Sequence, residues 1–238
     1  MSVPRTSERM RAIASIVLPG RKIADIGTDH GFIPAALLLE GTVPFAVLTD
    51  INPGPLEKCR ANLDALGVDP SLYEIRMGDG FEAASDGGYG TVIAAGMGGE
   101  LITRFFENMP QRPEEEAFCI ADRFVLQPRT HEEDLRSYLT QSGFSIRDYR
   151  LAKERGRICE VFAAEPCAAG SFQPDSGLIS AFLLEKGDRL LCEYVDAKID
   201  TVRAVLDSLK NSNTSQSEEQ KSIFAGMLAV LTDIRNNL

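Results

Sequence analysis

Residues 23–34, IADIGTDHGFIP, set Gly27, Asp29, His30 and Gly31 between a run that reads as a buried strand and one that opens a helix. In an open parallel sheet, ligands lie beyond the carboxyl ends of the strands, and the first turn is where the backbone comes closest to them. Gly27 and Gly31 suit that approach. The spacing differs from G-x-G-x-x-G, in which a pyrophosphate rests on bare amides at a helix N-terminus. Asp29 would repel a pyrophosphate and would suit a ligand with a positive centre. The sulfonium and ammonium of S-adenosylmethionine have that character, so the turn favours a methyl donor over a nicotinamide dinucleotide. His30 either shapes the cofactor end of the pocket or is a hydrogen-bonded structural residue of the turn.

Two more carboxylates close successive strands. Asp50, at the end of FAVLTDI with Ile51 beside it, stands where an acidic side chain accepts hydrogen bonds from both hydroxyls of a ribose. Asp79, in the GDG turn after YEIRM, is placed to accept from an adenine amino group, with Gly80 leaving room for the ring. Each of these acids alone also reads as a turn residue or helix cap. In AAGMGG, residues 94–99, Gly96 offers flat backbone for a planar group and Met97 is placed to line a methyl-transfer channel.

The elements that must position these residues alternate. A helix over about 6–17 precedes the strand KIADIG, the helix IPAALLLEG, the strand FAVLTDI, the helix PGPLEKCRANLDALG and the strand YEIRM. TVIAAGMGG, ELITRFFENM, FVLQP and HEEDLRSYLTQSG continue the rhythm, the last helix with a capping box from Thr130 to Glu133. Such βαβ repetition predicts an α/β fold with a mainly parallel sheet covered on both faces. FSIRDYRLA and ICEVFAAE, joined only by KERGR, must then pair as an antiparallel hairpin, giving seven strands with one reversed. Residues 1–165 read as this domain, 166–176 as a Pro- and Ser-containing linker, and 177–238 as a two-helix hairpin. Its first helix carries Leu191, Val195, Ile199, Val202, Leu206 and Leu209 on one seam, and its second starts at a box of Ser217 and Gln220 with Ile223, Met227, Val230 and Ile234 on one face.

Composition narrows the function classes. A chain of 238 residues with 44% hydrophobic content is globular, and no apolar run reaches the roughly eighteen residues a membrane span needs. The opening MSVPRTSERMR lacks an apolar segment after its arginines, so no secretory signal is expected and the chain reads as cytoplasmic. Five scattered cysteines without a C-x-x-C pair suggest neither disulfides nor a metal site. The net charge of −10 argues against general nucleic-acid coating, yet residues 1–22 and 147–157 are locally basic. Arg5, Arg9 and Arg11 make the N-terminal helix a candidate RNA surface, against the alternative of a solvated face. The oligomeric state is not set by these features, and a monomer is compatible with them.

DIGTDHGFIP, TDINPGPL, the GDG turn, AGMGG, LQP and the closing strand with Glu160 together resemble the bacterial tRNA methyltransferases that methylate N1 of adenine 22. The resemblance implies a Rossmann-like class I methyltransferase domain that binds S-adenosylmethionine through Gly27, Asp29, His30, Asp50, Ile51, Asp79, Gly80, Gly96 and Met97. It also implies a tRNA substrate, facing the helix of Arg5, Arg9 and Arg11, and no metal. Two positions depart from the pattern: Arg129 follows LQP where asparagine is usual, and Cys159 precedes Glu160 where an aromatic residue is common. For the implied reaction Asp29 is the candidate catalytic residue, stabilising positive charge as it develops on the adenine. The competing readings are a methyltransferase acting on a small molecule or protein, a nucleotide-dependent dehydrogenase, and a non-catalytic RNA-binding module.

Overall fold

The computed structural model describes residues 6–110, 119–167, 174–210 and 214–238. Its strands are β1 (Ile23–Ile26), β2 (Ala46–Asp50), β3 (Tyr73–Met77), β4 (Tyr89–Met97), β5 (Ala121–Pro128), β6 (Phe144–Glu154) and β7 (Arg157–Pro166). They form one sheet in the order β3-β2-β1-β4-β5-β7-β6. β1 to β5 run parallel, and β7 is antiparallel to both β5 and β6, which is the expected α/β sheet with one reversed strand.

The helices α1 (Glu8–Ala14), α2 (Phe32–Leu39), α3 (Pro53–Leu66), α4 (Gly99–Glu107) and α5 (Glu132–Gln141) belong to a compact unit of Met1–Asp175. Strand periodicity divides its core between the two faces of the sheet. Ile23, Leu48, Ile93 and Val125 join Ile13 and Ile16 of the N-terminal segment, Leu37 of α2 and Leu63 of α3 in an aliphatic cluster. Phe124, one residue out of phase with Val125, meets Phe81, Phe106 and Phe144 instead, with ring centroids 4.9–5.7 Å apart. A second compact unit, Ser176–Leu238, holds α6 (Ala181–Lys186), α7 (Leu191–Leu209) and α8 (Ser215–Asn236). Arg235 ties α8 to Asp196 of α7 at 2.7 Å.

Several local expectations are corrected. α1 is shorter than 6–17, capped by Ser7, whose Oγ accepts from the Met10 amide at 3.3 Å. α5 has no Thr130 cap: the Thr130 carbonyl accepts from the Gly99 amide at 2.8 Å, joining the loops after β4 and β5, and His131 takes the N-cap position at φ 57°. α8 is capped by Thr214, whose Oγ1 accepts from the Ser217 amide at 3.1 Å, so Ser217 lies inside the helix. On α8 it is Leu231 that is buried, while Ile223 and Val230 are exposed. On α7 the seam from Leu191 to Val202 is buried, whereas Leu206 and Leu209 are only half-buried. α6 lay hidden in a stretch too short for its periodicity to stand out. Finally, the KERGR connection shrinks to a two-residue turn, because the pairing of β6 with β7 continues to Glu154 and Arg157.

Candidate functional site

β1 sits between β2 and β4, so the chain crosses to opposite sides of it and a crevice opens at its carboxyl end. There a cleft of about 720 Å³ is bounded by the turn after β1, the end of β4, the loop after β5, the β6–β7 tip and α1. On its floor is Asp25, on the same side of β1 as Ile23 and therefore facing α1 and α3. Burial pushes its carboxyl up to about 6, partly offset by the neighbouring Thr28 hydroxyl and the Arg9 guanidinium. Burial, reinforced by the Asp25 charge, pushes the Cys59 thiol of α3 up to about 12. Thr28 is 3% exposed; its hydroxyl is near enough to the Asp25 carboxyl and the Cys59 thiol to lower both, yet it makes no well-formed hydrogen bond among the described residues. A buried hydroxyl so placed can take a further partner, a water or a ligand.

Sequence reasoning took KIADIG only as a strand and missed Asp25. The signal was present: an ionisable side chain inside a short strand whose other members are apolar, where a charge is seldom buried without a role.

The turn itself is held in the conformation the glycines predict. Gly27 has φ 70°, and a Cβ there would overlap the Met97 side chain that reaches across from β4. A bulge between Ala95 and Met97 breaks the β4–β5 register at Gly96, φ 78°, and nothing stands where a Gly96 side chain would be. AAGMGG is thus the end of β4, with a bulge, leading into α4. Asp29 is two-thirds exposed, with its Oδ2 3.1 Å from His30 Nε2. His30 stacks on Phe32 at 5.5 Å, and its carbonyl accepts from Asn62 of α3 at 3.0 Å, which fixes the turn to the helix behind it.

Gly27, Asp29, His30, Gly96 and Met97 are therefore brought to one cleft. Asp50, Ile51, Asp79 and Gly80 lie outside that lining, on the rim formed by the ends of β2 and β3. Asp50 Oδ1 accepts from the Asn52 amide at 2.8 Å, leaving its other oxygen without a bond among the described residues. Ile51 and Met77, 58% and 69% exposed, offer an apolar shelf beside it. Asp79 precedes a short 3-10 turn without capping it through its side chain. The space beside Gly80 is filled by the Phe105 ring, so the absent side chain there serves protein packing.

The expected basic helix face is divided. Arg5 lies outside the described residues. Arg9 turns into the cleft, where Nη1 donates to Gln127 Oε1 at 3.1 Å and Nε lies 3.8 Å from Glu154. Arg11 stays on the surface, bonded to the Thr6 carbonyl at 2.6 Å. Of the departing positions, Arg129 lines the cleft and its amide donates to the Met97 carbonyl at 2.7 Å. Cys159 also lines it, with its thiol raised by burial to about 11. Glu160 faces away, into a closed network: Arg136 of α5 donates to it at 2.6 Å and Tyr149 of β6 donates to it as well, with Asp175 3.7 Å from Arg136 Nε.

Comparison with known proteins places the fold and the family. The profile of a family described as a methyltransferase domain matches residues 6–162. The chain is 24% identical over 226 residues to the tRNA (adenine(22)-N(1))-methyltransferase of Bacillus subtilis, covering 93% of this chain and 92% of that protein. The crystal structure of the B. subtilis tRNA methyltransferase of that specificity superposes with a TM-score of 0.80 at 23% identity, over 97% of this chain and 99% of that one. The Mycoplasma capricolum TrmK structure in complex with S-adenosylhomocysteine gives 0.74 at 19% identity, over 97% and 99%. Among the described residues no helix is long and apolar enough to cross a membrane.

Proposed function

The chain belongs to the methyltransferase-domain family, and from that premise we propose that it transfers the methyl group of S-adenosylmethionine to N1 of an adenine in tRNA, at position 22. The observation that carries the reading is the cleft beyond β1, whose floor holds the Asp25 carboxylate and the buried Thr28 hydroxyl, with Asp29, Asp50 and Asp79 following on the turns after β1, β2 and β3. These groups fit the cofactor in kind. Carboxylates accept from ribose hydroxyls and an ammonium, the buried hydroxyl can take a further partner, and the exposed Ile51 offers apolar surface to a purine. The same carboxylates would repel a pyrophosphate, which weighs against a dinucleotide. A cytoplasmic site of action follows from the tRNA substrate.

When bound, the cofactor supplies an electrophilic methyl group on a sulfonium sulfur. The protein has no proton to remove first, because adenine N1 already carries an in-plane lone pair. Its task is to hold the two reactants in line. Gly27 and Met97 shape the space between the β1 turn and the end of β4, and closeness of that kind can supply about 7 kcal/mol or more of the barrier. Positive charge then spreads into the adenine ring and its amino group. Asp29, oriented by His30 and open to the cleft, accepts a hydrogen bond from that amine and stabilises the charge. Since N1 is hidden in a base pair, the adenine must be unpaired or extruded to reach it.

Incubation with tRNA and the methyl donor, followed by mapping of the modified nucleotide, tests the reading directly. An N1-methyladenosine at position 22 is expected; methyl transfer to protein or small molecules but to no tRNA would end it. Asp29→Ala should lower turnover about 100-fold, as for loss of one charge-stabilising group, and weaken cofactor binding far less than that; equal losses in both would assign Asp29 to binding alone.

A further inference from the structure

We propose that Arg129, Arg155 and Arg157 form a phosphate clamp at the mouth of the cleft, gripping the RNA backbone on either side of the adenosine that enters it. The inference rests on the tRNA reading above and adds which part of the protein holds the strand. All three arginines line the cleft and are exposed, and none has a carboxylate partner among the described residues. Arg11, Arg60 and Arg104 are exposed without a carboxylate partner too, but they lie off the cleft; what distinguishes Arg129, Arg155 and Arg157 is that they share its lining. Arg21, Arg76, Arg123, Arg136 and Arg150 each lie within 4 Å of an acidic side chain.

Their mounting is rigid. Arg155 and Gly156 make the two-residue turn of the β6–β7 hairpin, with φ 48° and 78°. Two positive φ values match the twist of the strands, but the first of these positions favours asparagine, aspartate or glycine, and an arginine there is strained. Strain kept at a turn that borders a cleft points to use of the side chain it displays. The ladder runs to Glu154 and Arg157, so the tip is held by strand pairing up to its last residues. The backbone of Arg129 is fixed from the other side by the hydrogen bond its amide donates to the Met97 carbonyl. Glu154, the acid nearest the tip, is turned toward Arg9 and so leaves the outer face of the hairpin cationic.

The chemistry that fits is a string of phosphodiesters. A guanidinium matches two phosphate oxygens at once, and the phosphates flanking an extruded base stay at the mouth while the base goes in. Asp25, Asp29, Glu132 and Glu154 line the same cleft, with Glu154 3.8 Å from Arg9, so the three arginines supply the cations at its mouth that an anionic strand needs.

The test compares wild type with Arg129→Gln/Arg155→Gln/Arg157→Gln. Affinity for an unmodified tRNA transcript is measured over a KCl series, the KM for tRNA by initial rates, and S-adenosylhomocysteine binding by calorimetry. The clamp predicts tRNA affinity at least 10-fold weaker, a salt slope smaller by about two, as expected for three phosphate contacts, and unchanged S-adenosylhomocysteine affinity. Arg60→Gln/Arg104→Gln, at exposed arginines that do not line the cleft, controls for overall charge and should shift neither slope nor KM. Equal losses in the two variants, or an unchanged salt slope in the first, would overturn the clamp while leaving the tRNA reading intact. A loss of S-adenosylhomocysteine binding in the triple variant would also overturn it, placing the arginines at the cofactor. Wild-type protein that binds S-adenosylhomocysteine but neither binds nor methylates tRNA would remove the substrate reading and the clamp with it.

Discussion

Two polar regions of the same unit share the reversed edge of the sheet and the crevice beside it, and they resolve the burial of charge in opposite ways. Around Glu160 opposite charges meet: Arg136 and Tyr149 both donate to its carboxylate, and Asp175 lies 3.7 Å from Arg136 Nε, all buried between α5 and the β6–β7 hairpin. Around Asp25 no cation is so close: burial pushes the carboxyl up to about 6, and Asp29 beside it faces solvent. Opposite charges paired inside the protein hold one arrangement of the chain, whereas a carboxylate buried without such a pair costs stability that a cationic ligand can restore. The contrast separates structure from function more sharply than residue type does, since both regions are built from carboxylates and hydroxyls.

The contrast breaks most visibly at the closed network. Glu160→Gln removes the partner of a fully buried guanidinium and should cost about 3 kcal/mol or more, with unfolding midpoints in urea falling accordingly and cofactor affinity of the folded protein retained. Stability unaffected by this change would mean the network is not the clamp between α5 and the hairpin.

Gly27→Ala comes next. Its side chain overlaps Met97 and its backbone is left-handed, so a stability loss of about 1–2 kcal/mol is expected together with at least 10-fold weaker S-adenosylhomocysteine binding. Normal binding by calorimetry would remove the β1 turn from the cofactor site.

At Asp25 the prediction reverses sign. The folded pKa of about 6 lies above the ordinary 3.8, so this group favours the folded state fully below about pH 4, and that advantage is lost as pH rises through about 6. Asp25→Asn should therefore be the more stable protein at pH 8, by on the order of 2 kcal/mol, with the difference vanishing toward pH 4 in paired urea melts. In wild type, affinity for a cationic ligand should climb between pH 5 and 7 as the carboxyl ionises, and the variant should lose that climb. The smallest effect belongs to Thr28→Val, which exchanges a hydroxyl without a well-formed hydrogen bond for a methyl group. A gain of about 1 kcal/mol in stability with several-fold weaker cofactor binding is expected, and a loss of stability would show that the hydroxyl has a structural partner.

How much of this could be read in advance differs by kind of feature. The sheet was legible because each strand is bounded by glycine or proline and separated by a helix of regular period, which leaves a handful of topologies with right-handed crossovers; the order β3-β2-β1-β4-β5-β7-β6 was decided by the tertiary structure. The places of Gly27 and Asp29 in the turn after β1, and of Met97 at the end of β4, were legible because the carboxyl ends of the strands in such a sheet are known before any coordinate is seen. Asp25 was visible only as an acid in an apolar strand; that it is buried depends on which helices cover its face, here α1 and α3. Gly80 was misjudged for a related reason: a glycine says that space is needed, without saying whether a ligand or Phe105 will use it. The cap of α5 was displaced because the Thr130 carbonyl is engaged by Gly99, far away in the chain, whereas the Thr214 cap of α8 is a local bond three residues long that the sequence carried and that was missed.

By itself, the sequence determined the alternation of strands and helices, the rim at which acidic side chains collect, and the excess of arginine in two short segments. These depend on neighbours within a few positions, where periodicity and turn chemistry act. Tertiary structure alone decided which charges would meet a partner and which would be left open. It turned Arg9 inward to Gln127, enclosed Glu160, and set Arg129 beside the hairpin tip of Arg155 and Arg157. Burial and electrostatic pairing are sums over groups distant in the chain, and they take values only once the sheet has brought those groups together.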